Sequence, residues 1–255
     1  MRKPELWGTF IKALASGHRS IDKLHRFGGV GVSKGTLFRW RTVILQALSD
    51  PSSKPLQGVI EADETYFRES FKGSRGWKRG SPPAPRLPRR RGKATLRGIS
   101  WQQVPVTAAT DRSGRKLERA VGYRDDVADA LLEGIGNGSI LCTDGWLGFR
   151  RVVRESQASH VVVGSPVKQE EASEDRPVPQ LDSEGGKLSL GRVNALHQDL
   201  KTFINGQAKG VSTRHLQGYL NWTQAVWKPV LRRCHVVLAS RAPRQVGKSL
   251  HAQRE

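Results

Sequence analysis

The spacing of the hydrophobic residues in this chain changes between residues 50 and 58. Before that point they follow the period of an α-helix, and after it they form short apolar runs typical of buried strands, which alternate with further helical stretches. This order predicts an α/β fold in which a small helical segment precedes a layered domain. No apolar stretch approaches the roughly 20 residues needed to cross a bilayer, and two cysteines cannot build a disulfide framework. We therefore expect a cytoplasmic protein without a membrane partner.

The charge of the chain is strongly positive and unevenly distributed. Its 43 Lys and Arg residues exceed its 23 Asp and Glu residues by 20, a balance typical of proteins that bind nucleic acids. Half of this excess lies in residues 68–97, where eleven basic side chains accompany one acidic side chain and where Pro is frequent. We interpret this stretch as an extended basic insert and expect its arginines, among them Arg89, Arg90 and Arg91, to bind DNA.

The first fifty residues predict three helices. Ser20 and Ser33 stand where N-cap residues are expected, before a short helix and before a helix over residues 34–48, and glycines separate the two. This order is typical of a helix-turn-helix, whose last helix enters the major groove of DNA. A helical bundle with merely solvated charges is the alternative, and the basic balance of the chain favours DNA binding. The candidate DNA contacts of the last helix are Lys34, Arg39 and Arg41.

The rest of the chain predicts one layered α/β domain. Strands are expected over residues 58–63, 104–110, 116–121, 139–145 and 160–163, and helices over residues 125–134, 193–206 and 213–227. A stretch of Asp, Arg, Ser and Gly after the second strand is typical of a hairpin turn. We therefore expect the second and third strands to be neighbours in the sheet.

Two aspartates each stand at the end of an apolar run. Asp63 ends the first predicted strand, and Asp144 lies at the end of the fourth. Ligand sites of open α/β sheets lie at the carboxyl ends of strands. Two adjacent carboxylates repel each other unless a cation lies between them, and Mg²⁺ or Mn²⁺ is the cation that such oxygen ligands favour. Each aspartate alone is more often a turn former, so the metal-site hypothesis needs a third element.

The predicted helix over residues 193–206 offers that element as a polar stripe. At about 100° per residue, the side chains divide into a polar set of Asn194, His197, Gln198 and Lys201 and an apolar set of Leu196, Leu200 and Phe203. A polar stripe considered alone is more typical of a solvated helix face. We accordingly expect His197 to be solvated or to face DNA, with a part in the metal site as the alternative.

Four stretches of the sequence are informative in combination. They are Asp63-Glu64-Thr65-Tyr66-Phe67, Thr143-Asp144-Gly145, the segment from Val193 to Lys201, and the segment from Gly210 to Trp222. Together they resemble prokaryotic insertion-sequence transposases of the family numbered 1595, over about residues 5–228. The resemblance implies an RNase H-like catalytic domain, with a mixed sheet and flanking helices, preceded by a helix-turn-helix segment.

The resemblance also implies an activity and roles for individual residues. It implies a DNA transposase of the Asp-Asp-Asn type, which cleaves the ends of an insertion sequence and transfers the strands into target DNA. Asp63, Asp144 and Asn194 are the implied catalytic metal ligands, and Lys201 is the implied contact to transposon-end DNA near the scissile phosphate. The implied cofactor is Mg²⁺ or Mn²⁺. The implied partners are double-stranded DNA, at the terminal inverted repeats and at the target, and further copies of the chain on that DNA, which places the protein at the nucleoid.

Two other functions remain open from the sequence. One is a catalytically inactive, truncated or domesticated DNA-binding protein that occupies the inverted repeats of the element. The other is an RNase H-like nuclease that acts on a structured nucleic acid. The set of Asp63, Asp144 and Asn194 favours the enzyme over a mere binder, because binding alone does not need it. The predicted helix-turn-helix favours duplex DNA as the substrate.

The predicted domain organisation follows from these features. A helix-turn-helix segment occupies residues 1–50, and an RNase H-like catalytic domain occupies residues 56–228. The basic insert and an acidic loop over residues 165–190 interrupt the catalytic domain. Residues 229–255 form a basic tail without a periodic pattern, which favours disorder.

Overall fold

The computed structural model describes residues 4–15, 20–48, 54–76, 96, 98–163, 186 and 188–226. These residues form two compact units. The helical unit comprises the described parts of residues 1–51, 70–89 and 200–255, and the sheet unit comprises those of residues 52–69 and 90–199. Three predicted features lie outside the described residues: most of the basic insert with Arg89, Arg90 and Arg91, most of the acidic loop, and the basic tail.

The helical unit begins with α1 (Pro4–Ala15), α2 (Ile21–Phe27) and α3 (Lys34–Ala47). Both predicted N-caps are confirmed, because the hydroxyls of Ser20 and Ser33 accept backbone N–H groups three residues further on, at 3.0 and 3.2 Å. Two glycines with positive φ values form the turn between α2 and α3. The rings of Trp7 and Trp40 stack with centroids 4.6 Å apart and join α1 to α3. A helical segment at the start of the chain is thus confirmed.

The sheet unit is built on a five-stranded mixed sheet. Its strands are β1 (Val59–Arg68), β2 (Gln103–Asp111), β3 (Lys116–Ala120), β4 (Ile140–Thr143) and β5 (Ser159–Val162), in the order β3-β2-β1-β4-β5. The pairs β1–β2 and β2–β3 are antiparallel, and the pairs β1–β4 and β4–β5 are parallel. The flanking helices are α4 (Asp126–Leu132), α5 (Phe149–Ser156) and α6 (Gly191–Lys201). This arrangement confirms the predicted RNase H-like α/β fold.

Side chains of a strand alternate between the two faces of a sheet, and apolar residues pack on both faces of this one. On one face Ile60 packs with Leu131 of α4 and Phe149 of α5 in the larger core. On the other face Val59 and Cys142 belong to a smaller apolar cluster. Cys142 is fully buried there.

Strand β1 is longer than the sequence predicts. It continues to Arg68 because β2 pairs with it along nearly its whole length. The feature that ends near Asp63 is the parallel pairing with β4, whose last register pair is Glu61 and Cys142. The prediction that Asp63 ends a strand is therefore wrong, and Asp63 lies instead where β1 loses its parallel neighbour.

The sequence predicts no element over residues 149–156, where the structure has α5. The buried residues of this helix are Phe149, Val152 and Ser156, at spacings of three and four. Phe149, Val152 and Val153 do follow helical spacing, but the stretch is only eight residues long and otherwise polar, so the signal is short.

After α6 the chain continues as a π-helical turn over Thr202–Gln207, a 3₁₀ turn over Thr213–His215 and α7 (Leu216–Val226). The single helix predicted over residues 193–206 is thus two segments of different pitch. Helix α7 packs against α3, and a Cβ atom at Gly218 would lie 3.1 Å from the Leu45 Cβ atom. In the described part of the chain, no helix is long and apolar enough to cross a membrane.

Candidate active site

Asp63 on β1 and Asp144 directly after β4 lie just beyond the parallel pairing of these two strands. β1 and β4 pair in parallel, with Glu61 opposite Cys142. Asp63 stands two residues beyond Glu61, and Asp144 stands two residues beyond Cys142, directly after β4. Extending this register by two residues brings the backbone of Asp144 level with that of Asp63, at the end of the parallel pairing.

Asp63 faces helix α6. Its Oδ1 accepts the backbone N–H of Glu64 at 2.9 Å, and its Oδ2 lies 3.8 Å from Nδ1 of His197. The side chain of His197 is only 10% exposed. The prediction that His197 is solvated or faces DNA is therefore wrong, because this imidazole is buried against the first of the two aspartates.

Helix α6 presents a narrower polar stripe than the sequence predicts. The buried residues are Val193, Leu196, His197 and Leu200, and the exposed ones include Asn194, Gln198 and Lys201. The buried face is thus shifted toward His197, since Val193 lies one turn before it. Asn194 lies at the margin of that face, one turn before His197. Lys201 is the last residue of α6 and is counted in the helical unit.

The loop after β4 carries Asp144 in an exposed position. Its Oδ1 accepts a backbone N–H two residues further on, at 2.9 Å. The preceding Thr143 hydroxyl accepts the N–H of Gly145 at 3.1 Å and lies 2.8 Å from Nε2 of His160 on β5. Burial, together with the charge of Arg150, lowers the pKa of His160. The lowered pKa favours a neutral His160 imidazole beside the Thr143 hydroxyl.

The residue types on this face suit a hard divalent cation. Asp63 and Asp144 offer carboxylate oxygens, and Asn194 on α6 offers an amide oxygen. Mg²⁺ and Mn²⁺ prefer such oxygen donors. Within the described residues, no three His, Cys, Asp or Glu side chains cluster as a metal site. A site here would combine two carboxylates with a neutral donor, and this donor chemistry fits the predicted cation.

Residues 55–228 match the model of a protein family described as the ISXO2-like transposase domain. The chain belongs to this transposase family. The matched range contains all the strands of the sheet and helices α4 to α7. It also contains the four stretches that carried the resemblance, which is thereby confirmed. A comparison with curated proteins found no match to the chain.

In this transposase domain, Arg124 connects β1 with the loop that follows β4. Its Nη2 and Nε donate to Oε1 of Glu64 at 2.6 and 3.1 Å. Its guanidinium carbon lies 4.3 Å from the centroid of the Trp146 ring, and the Trp146 N–H is the donor to Asp144. Burial alone lowers the pKa of Arg124, but the hydrogen bond and charge of Glu64 raise it above its usual value. Arg124 stays charged and links the sequence neighbours of Asp63 and Asp144.

Arg124, Glu64 and Glu61 had no predicted role. Glu64 belongs to the Asp-Glu-Thr-Tyr motif, so a signal was present. The hydroxyl of Tyr66 donates a hydrogen bond to Glu64 at 3.3 Å. Burial, with added repulsion from the Glu64 carboxylate, raises the pKa of Tyr66. Arg124 is 60 residues from Glu64 in the chain, and no local pattern marks it. Only the fold brings these groups together.

The helical unit of the transposase presents two of the three predicted DNA contacts of α3 to solvent. Lys34 and Arg39 are exposed, and the Lys34 Nζ lies 2.5 Å from Asp22 on α2. The hydrogen bond and charge of Lys34 lower the pKa of Asp22. Arg41, in contrast, is 6% exposed, and its guanidinium carbon lies 5.3 Å from the centroid of the Tyr219 ring. Arg41 therefore contributes to the packing of α3 on α7.

Proposed function

We propose that this member of the transposase family cleaves DNA strands at the ends of an insertion sequence and transfers them into target DNA, in a reaction that depends on Mg²⁺ or Mn²⁺. The observation that carries the proposal is the position of Asp63 on β1 and of Asp144 directly after its parallel neighbour β4, with α6 close to Asp63. Two carboxylates in this position repel each other without a cation between them. The arrangement therefore favours a catalytic metal site over a surface that only binds DNA.

Asp63, Asp144 and Asn194 are the proposed metal ligands. Divalent ions held by these residues would supply activation of the attacking water or 3′-hydroxyl and charge stabilisation of the leaving oxygen of the scissile phosphate. The two aspartates supply negative charge, while Asn194 supplies only a neutral carbonyl oxygen. The site thus has one negative charge fewer than a site of three carboxylates. We expect it to hold metal ions more weakly and to admit an anionic phosphate more readily.

The proposed DNA contacts are basic side chains. Lys34 and Arg39 are exposed on α3, the helix that the helix-turn-helix prediction places in the major groove. The remaining proposed contacts are the three arginines Arg89, Arg90 and Arg91 of the basic insert and Lys201 near the scissile phosphate, whereas Arg41 is buried and is no longer proposed as a contact. Terminal inverted repeats and target DNA are the proposed partners, and a homo-oligomer holds two element ends together.

The test is strand cleavage of a labelled duplex that carries the terminal repeat of the element, in the presence of Mg²⁺ or Mn²⁺. The unsubstituted chain is compared with Asp63→Ala and Asp144→Ala. We expect cleavage by the unsubstituted chain and its loss, by at least about a hundredfold, in both variants. Binding of the same duplex, measured by gel shift, is expected to persist in both variants, because neither aspartate is a proposed DNA contact.

Glu155→Ala is the matched control, since Glu155 is a carboxylate on the exposed side of α5. It is expected to cleave like the unsubstituted chain. Binding of the repeat by all four proteins with cleavage by none of them would contradict the proposal and identify a DNA-binding protein without catalytic activity.

A further inference from the structure

Glu61 is a buried carboxylate with no direct part in the proposed chemistry. It is 1% exposed, although a buried charge destabilises a protein unless hydrogen bonds compensate it. It stands on β1 two residues before Asp63, so both side chains lie on the same face of the sheet.

The carboxylate of Glu61 binds the first turn of α6. Its Oε2 accepts the backbone N–H groups of Arg192 and Val193 at 2.7 and 3.2 Å. Its Oε1 lies 3.5 Å from the Ser189 hydroxyl and 3.7 Å from Nη1 of Arg112. The first N–H groups of a helix have no partner within the helix, and its N-terminal end carries partial positive charge. Glu61 satisfies both needs from a strand 131 residues away in the chain.

Glu61 and Asp63 face α6 at two points along β1. Glu61 contacts the helix at Val193, and Asp63 lies near it at His197. Two residues of a strand span about 6.6 Å, and four residues of a helix span about 6 Å. The two spacings match, so helix and strand run side by side between these points. Asn194 lies on the helix between them.

We infer that Glu61 is a positioning residue of the active site. By binding the start of α6 it sets the distance of Asn194 from Asp63, and so the geometry of the proposed ligand set. This inference rests on the proposed function. A Ser or Asp within the helix could cap the same N–H groups, but it would not tie them to the strand that carries Asp63.

The test is a calorimetric titration of the full chain with Mn²⁺ in the absence of DNA. Glu61→Gln keeps the size of the side chain but replaces the charged oxygens with an amide, whose NH₂ group cannot accept a hydrogen bond. We expect the Mn²⁺ dissociation constant to rise about tenfold, the low end of the effect of losing a group that orients metal ligands. The Mn²⁺ concentration that gives half-maximal cleavage is expected to rise by a similar factor.

Asp111→Asn is the matched control for lost stability. Asp111 is fully buried at the end of β2 and accepts the N–H groups of Arg115 and Gln57, but it has no contact with α6 among the hydrogen bonds of the sheet unit. Its substitution is expected to lower the melting temperature and to leave the Mn²⁺ dissociation constant within about twofold of the unsubstituted value.

Three results would overturn the inference or the proposal beneath it. An unchanged Mn²⁺ dissociation constant in folded Glu61→Gln overturns the inference alone. An equal rise in Asp111→Asn also overturns it, since the effect is then one of general stability. Failure of the unsubstituted chain to bind Mn²⁺ overturns the proposed function and the inference with it. If Glu61→Gln does not fold, as judged by circular dichroism, Glu61→Asp decides by the same criterion, because it shortens the side chain and keeps the charge.

Discussion

The Glu64 carboxylate depends on Arg124 for its place inside the protein. Its side chain is 6% exposed, and one of its oxygens accepts two hydrogen bonds from Arg124. The other oxygen, Oε2, is buried without a hydrogen-bond partner among the described residues. A buried charge that loses its partner destabilises a protein far more than the intact pair stabilises it. Removing one member of the pair is therefore expected to lower the stability by more than the intact pair contributes.

Arg124→Gln is expected to lower the free energy of unfolding by about 2 kcal/mol. This is less than the loss for a fully buried pair, because a third of the Arg124 side chain is exposed and solvent screens it. The double variant Glu64→Gln, Arg124→Gln is expected to lose less than the sum of the two single variants, because it leaves no charge unpaired. Urea unfolding followed by circular dichroism measures all three.

Arg154→Gln is the control for the loss of an arginine, since this side chain is 78% exposed and lies 3.8 Å from Glu155. It is expected to change the free energy of unfolding by less than about 0.5 kcal/mol. Strictly additive losses in Glu64→Gln and Arg124→Gln would show that the two groups do not depend on each other.

Buried polar residues also mark the limit of what the sequence predicts at single positions. The helical period gives the direction of each side chain correctly for Leu196 and Leu200, which are both buried. It does not give the width of the buried face, which depends on the element packed against it. His197 and Arg41 are buried for this reason, by Asp63 of β1 and by Tyr219 of α7. Neither partner is near in sequence.

Among the elements, the loop after β4 is the most constrained by its neighbours. Gly145 has a φ of 86°, and a Cβ atom added to it would lie 2.7 Å from Cγ1 of Val162 on β5. Both the backbone conformation and the space thus require glycine at this position. Because Asp144 directly precedes it, any shift of the loop also moves a proposed metal ligand.

Gly145→Ala is expected to lower the free energy of unfolding by about 2 to 3 kcal/mol, of which the left-handed backbone conformation accounts for about 1 kcal/mol and the clash for the rest. Gly114→Ala is the matched control, since Gly114 has a φ of 81° and no atom within 4 Å of an added Cβ. Thermal unfolding compares the two.

A second substitution tests the close approach of Val162 to Gly145 directly. Val162→Ala removes the atoms that the added Cβ would meet, so in the Gly145→Ala background it is expected to restore most of the difference from Gly114→Ala. Equal losses in Gly145→Ala and Gly114→Ala would refute the importance of the close approach.

Most elements follow from local signals, and those that do not have physical reasons. The capping serines and apolar runs predict α2, α3 and the strands, because these signals lie within the element itself. The end of β1 was misplaced because its extension depends on pairing with β2 and not on its own apolar residues. The π-helical turn at Thr202–Gln207 was missed because apolar spacing does not distinguish it from a continuing α-helix.

At the scale of the whole molecule, each compact unit contains a half-buried histidine with a lowered pKa. In the sheet unit, burial and the charge of Arg150 lower the pKa of His160 below its ordinary value of 6.5. In the helical unit, burial and the charges of Arg214 and Arg41 do the same for His215. Both units therefore contain an imidazole that is easier to protonate in the unfolded chain.

We expect the stability of the protein to fall as the pH is lowered below about 6.5. Above the unfolded pKa of 6.5 both states are neutral, and the two histidines have no effect on stability. Below it the unfolded chain binds protons first, so acidification favours unfolding until the folded pKa is passed. Urea unfolding at several pH values between about 5 and 8 measures this slope. The double variant His160→Gln, His215→Gln is expected to flatten the slope, and an unchanged slope would contradict its assignment to these groups.

The helical unit is assembled from three separate stretches of the chain, within residues 1–51, 70–89 and 200–255. Helix α3 is synthesised early, but α7, which supplies Tyr219 and the close contact at Gly218, emerges from the ribosome about 170 residues later. During most of translation, α3 therefore lacks the surface that buries Arg41. A copy of the gene interrupted by a stop codon before α7 yields a chain in which α3 packs on α1 and α2 but lacks α7. Such a copy loses part of the packing of its candidate DNA-reading helix together with the end of its transposase domain.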